Sequence, residues 1–320
     1  MLKIVIVGYG EMFTNLIAGA LDAKCEVVGV LRKDTLKYPK WLKKIKDIIY
    51  PSQEYNYIKS CNIHEIECQK GVNSDEFRKV LLKLNPDLIL VGSWGEKFSK
   101  ETFSIPKIAT INAHPSLLPK YRGPNPYFWV IKNQEQKSGI TFHLIDEDFD
   151  TGAILAQEEF EVSNNETGAS LKTKTVLKAR ILICKLLTAL QEDIIIPLKQ
   201  RNDRASYYSH PEGFELDFKK SANENGALIR ASYPWNDVYF YHNVTALTPD
   251  YRNISIKENV SSFKDAGTIV EVDAEVGKLS VLCGDGKIIS FENIKLLKKQ
   301  DRPFTKNYLR LDVKVGDVLF

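Results

Sequence analysis

An open, doubly wound, mostly parallel α/β sheet followed by a smaller, mostly β, barrel-like domain is the architecture this sequence predicts, on three observations. The chain has 320 residues, about twice a usual domain of roughly 150. Its first two-thirds alternates short β-branched runs with segments of helical period, the order that builds a parallel sheet. The remainder drops that alternation and gains clustered aromatic residues and a hairpin signal. The boundary falls near residue 205, so residues 1–205 and 206–320 are the expected domains.

Taken in order, residues 3–7 (KIVIV) form a strand suited to burial on both faces, and Gly8 ends it. An apolar segment over 12–21 and a second β-branched run over 26–31 (EVVGVL) complete a strand, helix, strand unit. Asn73 and Glu76 stand at capping-box spacing ahead of Phe77, Val80, Leu81 and Leu84, and Asn85-Pro86 stops that helix. Strands are predicted over 87–91, 107–112 and 139–145, and Ser163 with Glu166 caps a long apolar helix reaching about residue 190. Beyond the boundary, Tyr207, Tyr208, Tyr233, Trp235, Tyr239 and Phe240 crowd together. Strands follow over 268–273, 278–283 and 287–291, the last two joined by a Gly284-Asp285-Gly286 turn.

Composition excludes several classes. Hydrophobic residues at 43% and charged residues at 27% are ordinary for a globular fold, which removes disorder, collagen and fibre. No apolar run approaches the roughly 20 residues of a membrane span, and the amino-terminal residues lack a signal-peptide pattern, so a cytoplasmic protein with no membrane partner is expected. Cys25, Cys61, Cys68, Cys184 and Cys283 are odd in number and scattered, which predicts neither a disulfide framework nor a metal site. Gly8-Tyr9-Gly10 supplies two glycines of a dinucleotide fingerprint without the third, and Arg32-Lys33 replace the expected acid. A tight turn accounts for it, and an NADP-dependent oxidoreductase is the minor alternative.

The chemistry concentrates around residues 111–119, INAHPSLLP. Period-2 alternation puts Asn112 and His114 on one face at the carboxyl end of a strand, where open α/β sheets bind ligands. Asp150 arrives in the loop after strand 139–145. An amide, an imidazole and a carboxylate suit attack at a carbonyl: Asn112 donates to the developing oxyanion, His114 handles the proton, and Asp150 orients the imidazole. His143, in the same strand, is read as a sheet-face residue. Ser116 lies close to His114, but no G-x-S-x-G elbow surrounds it, which disfavours a serine hydrolase.

The run from Asn112 to Gly123 (NAHPSLLPKYRG), with Gly139-Ile140-Thr141 and Asp150-Thr151-Gly152, resembles the folate-dependent formyltransferases. That resemblance implies a Rossmann-like catalytic domain, Asn112, His114 and Asp150 as the catalytic triad, and 10-formyltetrahydrofolate as the formyl donor. It places the folate against Ser93, Trp94 and Gly95, against Ser116, Leu117, Leu118 and Pro119, and against Asp146, Glu147, Asp148 and Phe149. Gly8, Tyr9, Gly10, Arg122, Asn125 and Tyr127 are the candidate acceptor-binding positions. No metal is implied. Residues 230–235 and the following strands resemble the linker and barrel-like domain of methionyl-tRNA formyltransferases, an arrangement shared with an enzyme that formylates a UDP-linked amino sugar; a purine-pathway acceptor is disfavoured on length.

Charge separates the two remaining acceptors. The net +3 divides into 29 basic against 25 acidic residues over 1–205 and 15 against 16 over 206–320. A domain gripping tRNA needs a basic face, which favours a sugar-nucleotide acceptor over methionyl-tRNA, the alternative. Two local features point the other way. Lys295, Lys298, Lys299, Arg302, Lys306 and Arg310 form a late basic patch. Arg32, Lys33, Lys37, Lys40, Lys43, Lys44 and Lys46 face a single acid, Asp34, in a segment where Trp41, Leu42 and Ile45 predict a short amphipathic helix. Tyr127, Phe128 and Trp129 follow Gly123-Pro124-Asn125-Pro126 where the tRNA enzymes carry small residues, and aromatic rings there suit a nucleotide base or sugar.

Overall fold

A computed structural model describes residues 1–33, 38–297, 308–310 and 312–319. Two compact units divide it, one of residues 1–126, 137–161 and 172–210, the other of residues 127–136, 162–171 and 211–320. The helices are α1 (Gly10–Asp22), α2 (Lys40–Ile49), α3 (Gln53–Ser60), α4 (Asp75–Leu84), α5 (Lys100–Phe103), α6 (Pro126–Lys132), α7 (Gly168–Gln191) and α8 (Ala222–Ser232).

The first unit carries a six-stranded sheet of order β2-β1-β3-β4-β5-β6, formed by β1 (Lys3–Gly8), β2 (Glu26–Arg32), β3 (Leu88–Gly92), β4 (Ala109–His114), β5 (Lys137–Leu144) and β6 (Ile154–Glu161). Strands β1 to β4 are parallel, β5 is antiparallel to β4, and β6 is antiparallel to β5. Alternation along each strand explains why both faces are apolar. Ile4, Ile6, Leu88 and Leu90 join one cluster with Phe13 and Leu16 of α1 and Ile183 and Leu187 of α7. Val5, Val7, Ile89 and Val91 join the other, with Phe77 and Leu81 of α4. Each such side chain contributes about 1.5–3 kcal/mol on burial.

Helix starts differ from the sequence expectation by short steps. Ser74, not Asn73, caps α4, its hydroxyl accepting from Phe77 N–H. Asn73 instead ties the loop by donating to Glu96 and the Lys97 carbonyl and accepting from Ser99 N–H. The start of α7 belongs to Thr167, whose hydroxyl accepts from Ser170 N–H at 3.1 Å, while Ser163 offers only its carbonyl, to Glu166 N–H. In both cases a hydroxyl nearer the first helical turn has the better geometry.

The second unit holds a four-stranded antiparallel sheet, β10-β11-β12-β9, and a three-stranded one, β13-β8-β7, from β7 (Phe240–His242), β8 (Thr245–Thr248), β9 (Ile254–Glu258), β10 (Ile269–Asp273), β11 (Lys278–Leu282), β12 (Lys287–Phe291) and β13 (Lys295–Leu296). The Gly284-Asp285-Gly286 turn joins β11 to β12 in antiparallel register. Among the described residues these strands form two sheets and no closed barrel. Helix α8, part of which the sequence suggested as linker, starts at a full capping box between Ser221 and Glu224.

The basic segment near the amino terminus is organised differently from its charge count. Arg32 is 2% exposed and ion-pairs with Asp47 at 2.7 Å and Glu65 at 2.8 Å. Lys43 reaches the same two acids, both at 3.0 Å. Helix α2 therefore turns Lys43 and Asp47 inward, while Trp41 at 65% and Ile48 at 77% are exposed. The single-acid count fails because Asp47 and Glu65 lie outside the segment that was counted. Asp34 and Lys37 lie outside the described residues, as do Lys298, Lys299, Arg302 and Lys306 of the late patch; Arg310 pairs with Glu275. Replacing Arg32 by Met leaves Asp47 and Glu65 to Lys43, and removing one partner from a buried ion network costs up to about 3–5 kcal/mol. Arg32→Met is expected to lower the unfolding free energy by that amount in urea titration; an unchanged midpoint would show the network to be dispensable.

Candidate active site

Ile111 and Ala113 of β4 belong to the α1/α7 cluster, so Asn112 and His114 point to the opposite face. On β5 the same holds for Ile140 and Phe142 against Thr141 and His143. Register sets Asn112 opposite His143 and His114 opposite Thr141. The sequence reading placed His143 on a sheet face, and that face is the one the site occupies. Alternation counted from Asn112 across an antiparallel pairing would have found it.

Asp150 reaches this face by a route that adjacent strand ends do not describe. Because β5 is antiparallel, its loop leaves the sheet beside Thr110, where Ile145 N–H donates to the Thr110 carbonyl. The loop then folds back over the face. Asp150 Oδ1 lies 3.4 Å from His114 Nδ1, 3.5 Å from His143 Nε2 and 3.4 Å from Asn112 Nδ2. Gly123 N–H donates to Oδ2 at 2.9 Å. The backbone of Asp150 is left-handed, with φ of 58°. Gly152 makes the return possible, since a Cβ there would stand 1.9 Å from the Leu144 carbonyl oxygen.

Hydrogen bonding assigns the imidazole tautomers. His114 Nε2 donates to the Tyr121 carbonyl at 2.7 Å, which leaves Nδ1 as the lone-pair nitrogen beside Asp150. His143 Nδ1 donates to the Leu144 carbonyl at 2.8 Å, and its Nε2 accepts from Asn112 Nδ2 at 3.1 Å. Burial alone would raise the Asp150 carboxyl, but the His114 and His143 imidazoles and the Gly123 N–H more than reverse this and hold it well below the usual carboxylate range. Burial is also the largest influence on His114; it lowers the imidazole from its ordinary 6.5 in spite of Asp150 and the Tyr121 carbonyl. The arrangement is an ionised carboxylate beside a neutral base.

The SLLP segment forms a fixed wall beside it. Thr141 Oγ1 donates to the Ser116 carbonyl at 2.7 Å, and Gln157 Nε2 donates to the Leu118 carbonyl at 3.0 Å. Gln157 sits opposite Thr141 on β6, a strand the sequence analysis missed because its partly exposed EEFE run has little apolar signal. Ser116 is fully buried and its hydroxyl donates to the Lys120 carbonyl at 2.9 Å, a geometry that leaves no serine nucleophile. Leu117 lies over Gly139, and Leu118-Pro119 is a cis peptide.

The remaining expected positions divide. Asp146 folds its own loop, accepting from Asp148 N–H and Thr151 Oγ1. Glu147 and Asp148 make exposed ion pairs with Lys100 and Lys97, while Phe149 is half-exposed. Ser93 has a left-handed φ of 57° at the end of β3, and Gly95 is open to added bulk. Trp94 packs on the α4 cluster with its Nε1 buried and without a hydrogen-bond partner among the described residues. Gly8 pairs with Gly92, and Gly92 with Ala113, so the end of β1 stands two strands from the site, about 10 Å at the usual interstrand spacing. Gly10 N–H donates to Glu54 at 2.8 Å and Lys33 lies over the Tyr9 ring. With Arg32 also buried, the chain itself fills both positions a dinucleotide would use. Asn125 is left-handed, with φ of 56°. Tyr127 belongs to the second unit, where it stacks on Trp235 with centroids 6.2 Å apart. Arg122, by contrast, lines a cleft of about 370 Å³ together with Phe149, Thr151, Ser206 and Tyr207. Its side chain donates to Gln200 and Asn202, and no carboxylate pairs with it among the described residues. No group of three or more His, Cys, Asp or Glu arranged to hold a metal is found among the described residues, nor any helix long and apolar enough to cross a membrane.

Comparison with known proteins identifies the family. The formyl transferase family model matches residues 2–187. Methionyl-tRNA formyltransferase of Clostridium tetani is 33% identical over 247 residues, covering 77% of this chain and 76% of its own. That of Clostridioides difficile is 29% identical over 310 residues, covering 96% and 94%. Among solved structures, the sugar 3N-formyl transferase WlaRD, determined with dTDP and 5-N-formyl-THF, aligns with a TM-score of 0.64 at 21% identity over 92% of this chain and 98% of that one. An N-formyltransferase of Helicobacter canadensis, in complex with folinic acid and dTDP-3-aminofucose, gives 0.64 and 21% over 91% and 100%. At such identities the two structures speak for the fold, while the family model spans more than half of the sequence and contains all four clustered side chains: the chain belongs to the formyl transferase family of enzymes.

Proposed function

We propose that this chain transfers the formyl group of 10-formyltetrahydrofolate to the primary amine of a nucleotide-linked amino sugar. The observation that carries the reaction is the cluster of Asn112, His114, His143 and Asp150 on one sheet face. His114 is neutral with its Nδ1 lone pair turned into the site, so it takes the proton from the amine as that amine attacks the formyl carbon. The imidazolium then gains the adjacent Asp150 charge in a buried setting, where such attraction is strong. Asn112 has two amide hydrogens, one on His143 and one in a long contact of 3.4 Å to Asp150. The long contact is the one a developing oxyanion displaces, which gives the tetrahedral intermediate a donor. Breakdown releases the folate N10 as the proton returns from His114.

A small acceptor is supported by the Arg122 cleft. Its volume suits a small molecule, its cation makes no ion pair among the described residues although Asp148 also lines the cleft, and the Phe149 and Tyr207 rings offer stacking surfaces beside an anionic group. The full-length relatives favour methionyl-tRNA as the second reading, since all those described above act under that name.

An acceptor panel separates the two. Purified protein with 10-formyltetrahydrofolate is expected to add one formyl mass to a UDP- or dTDP-linked amino sugar, read by mass spectrometry; formylation of charged initiator tRNA with no sugar product would reverse the choice. His114→Ala and Asn112→Ala are expected to keep the wild-type melting temperature and lose about 10² to 10³ in kcat, and near-wild-type turnover in either would remove the mechanism. The pH dependence has a definite sign. His114 works unprotonated and its value is lowered, so the acid limb of kcat should lie below 6.5, and in Asp150→Asn it should move lower still because a group that raises His114 is gone. A limb at or above 6.5 in the wild type would contradict the assignment.

A further inference from the structure

Gln200 lies 50 residues beyond Asp150, in the stretch following α7, and is 6% exposed. Leu198 and Ile154 exchange two backbone hydrogen bonds of 2.8 Å, which sets this stretch beside the start of β6. The Gln200 amide has two hydrogens, and both partners are carbonyls of the catalytic loop: Nε2 donates to Asp150 O at 2.9 Å and to Gly152 O at 2.7 Å. Its Oε1 accepts from Arg122 Nε at 3.2 Å and Nη2 at 2.8 Å. A guanidinium only donates, so Arg122 fixes which way the amide points. Arg122 Nη2 is itself held by Asn202 Oδ1 at 2.9 Å.

These contacts matter because Asp150 has a left-handed backbone, which residues other than glycine adopt infrequently. A left-handed φ at a non-glycine persists where its surroundings over-determine it. Gly152 presses against β5, Gly123 N–H holds the carboxylate, and Gln200 holds the two carbonyls between them. We propose that Gln200, oriented by Arg122, is a positioning residue for the reaction: it sets the Asp150 carboxylate against His114 by gripping the backbone on either side of Thr151. It touches neither folate nor acceptor. The inference rests on the formyl-transfer reading for its consequence in turnover, while the Gln200–Asp150–His114 coupling stands on geometry alone.

Gln200→Ala removes the grip, and Gln200→Glu removes it at constant volume, since a carboxylate still accepts from Arg122 but donates to no carbonyl. In the full chain, with 10-formyltetrahydrofolate and the acceptor that turns over, both variants are expected to lose about 10- to 100-fold in kcat, the scale of a misplaced catalytic group, with KM changed less than about 3-fold. In an Asp150→Asn background the same substitutions are expected to change kcat less than about 3-fold, because neighbours in one network are not additive. A second measurement needs no acceptor: ring ¹⁵N titration of His114, which is faced by Asp150, His143 and Arg122, should show a lower midpoint in Gln200→Ala as the carboxylate moves away; this readout uses the alanine variant alone, because a glutamate adds a charge of its own beside Arg122. Wild-type kcat in Gln200→Glu, equal losses in the two backgrounds, an unmoved His114 midpoint, or a kcat loss that merely follows the melting temperature would each overturn the proposal. Full transfer activity in Asp150→Asn would instead overturn the reaction assignment, and the titration would still report whether Gln200 acts on Asp150.

Discussion

An ionised carboxylate held out of water beside a neutral imidazole is the constraint around which the first unit is arranged. Desolvating such a charge costs several kcal/mol, and the structure offsets it with donors aimed at Asp150: Gly123 N–H on one oxygen and the Asn112 amide on the other, with the two imidazoles packed alongside. Those donors come from β4, β5 and the turn after the SLLP segment. None of them is useful unless the loop carrying Asp150 returns over the sheet, and that return depends on Gly152 fitting against Leu144. The left-handed backbone at Asp150 and the buried charge occur together, in the loop that aims the carboxylate at His114.

The antiparallel β5 explains why the site is compact. A parallel strand in that place would send its following loop past the His114 end of β4, and residue 143 would fall in a different register. Reversal sets Asn112 against His143 and His114 against Thr141, so two polar pairs lie side by side on a face whose neighbours are apolar. Gln157 extends the row onto β6 and anchors the SLLP wall through Thr141. One edge reversal in an otherwise parallel sheet thus supplies the fourth side chain of the cluster and the rigid flank of the cleft.

Much of this was legible in the sequence wherever a local physical signal existed. The β-branched runs ending in glycine, the 284–286 turn and the one-face placement of Asn112 and His114 are short-range features that tertiary contacts did not override. What stayed hidden was longer in range. Strand β6 alternates charged and weakly apolar residues and lacks a strand's usual signature; without it neither Gln157 nor the direction of β5 is readable, and His143 loses its context. Gln200 is a lone amide in a polar stretch, 50 residues from the carbonyls it grips, and no pattern announces such a contact. The cap positions of α4 and α7 were missed by one residue and by four because several short polar side chains near a helix start compete, and only the backbone decides between them.

Charge shows the same limit in a form that bears on the acceptor. Seven cations against one acid between Arg32 and Lys46 read as a basic surface, yet Arg32 and Lys43 turn inward to Asp47 and Glu65. The helix then presents Trp41, Ile45, Ile48 and Ile49 to solvent. Counterion release rewards lysines that stand at the surface and meet phosphates, so a helix that commits its central lysine to an internal network is a poor track for a polynucleotide. Arg122 is the opposite case: one residue in a near-neutral stretch, inconspicuous in any count, whose hydrogen bonds among the described residues go to the amide oxygens of Gln200 and Asn202, at a cleft it lines with Phe149 and Thr151. On the proposed function, one guanidinium in a cleft that Phe149 and Tyr207 also line suits one or two phosphates of a nucleotide better than a long anionic backbone. The position of the charge, more than its sum, is what supports the small acceptor proposed above.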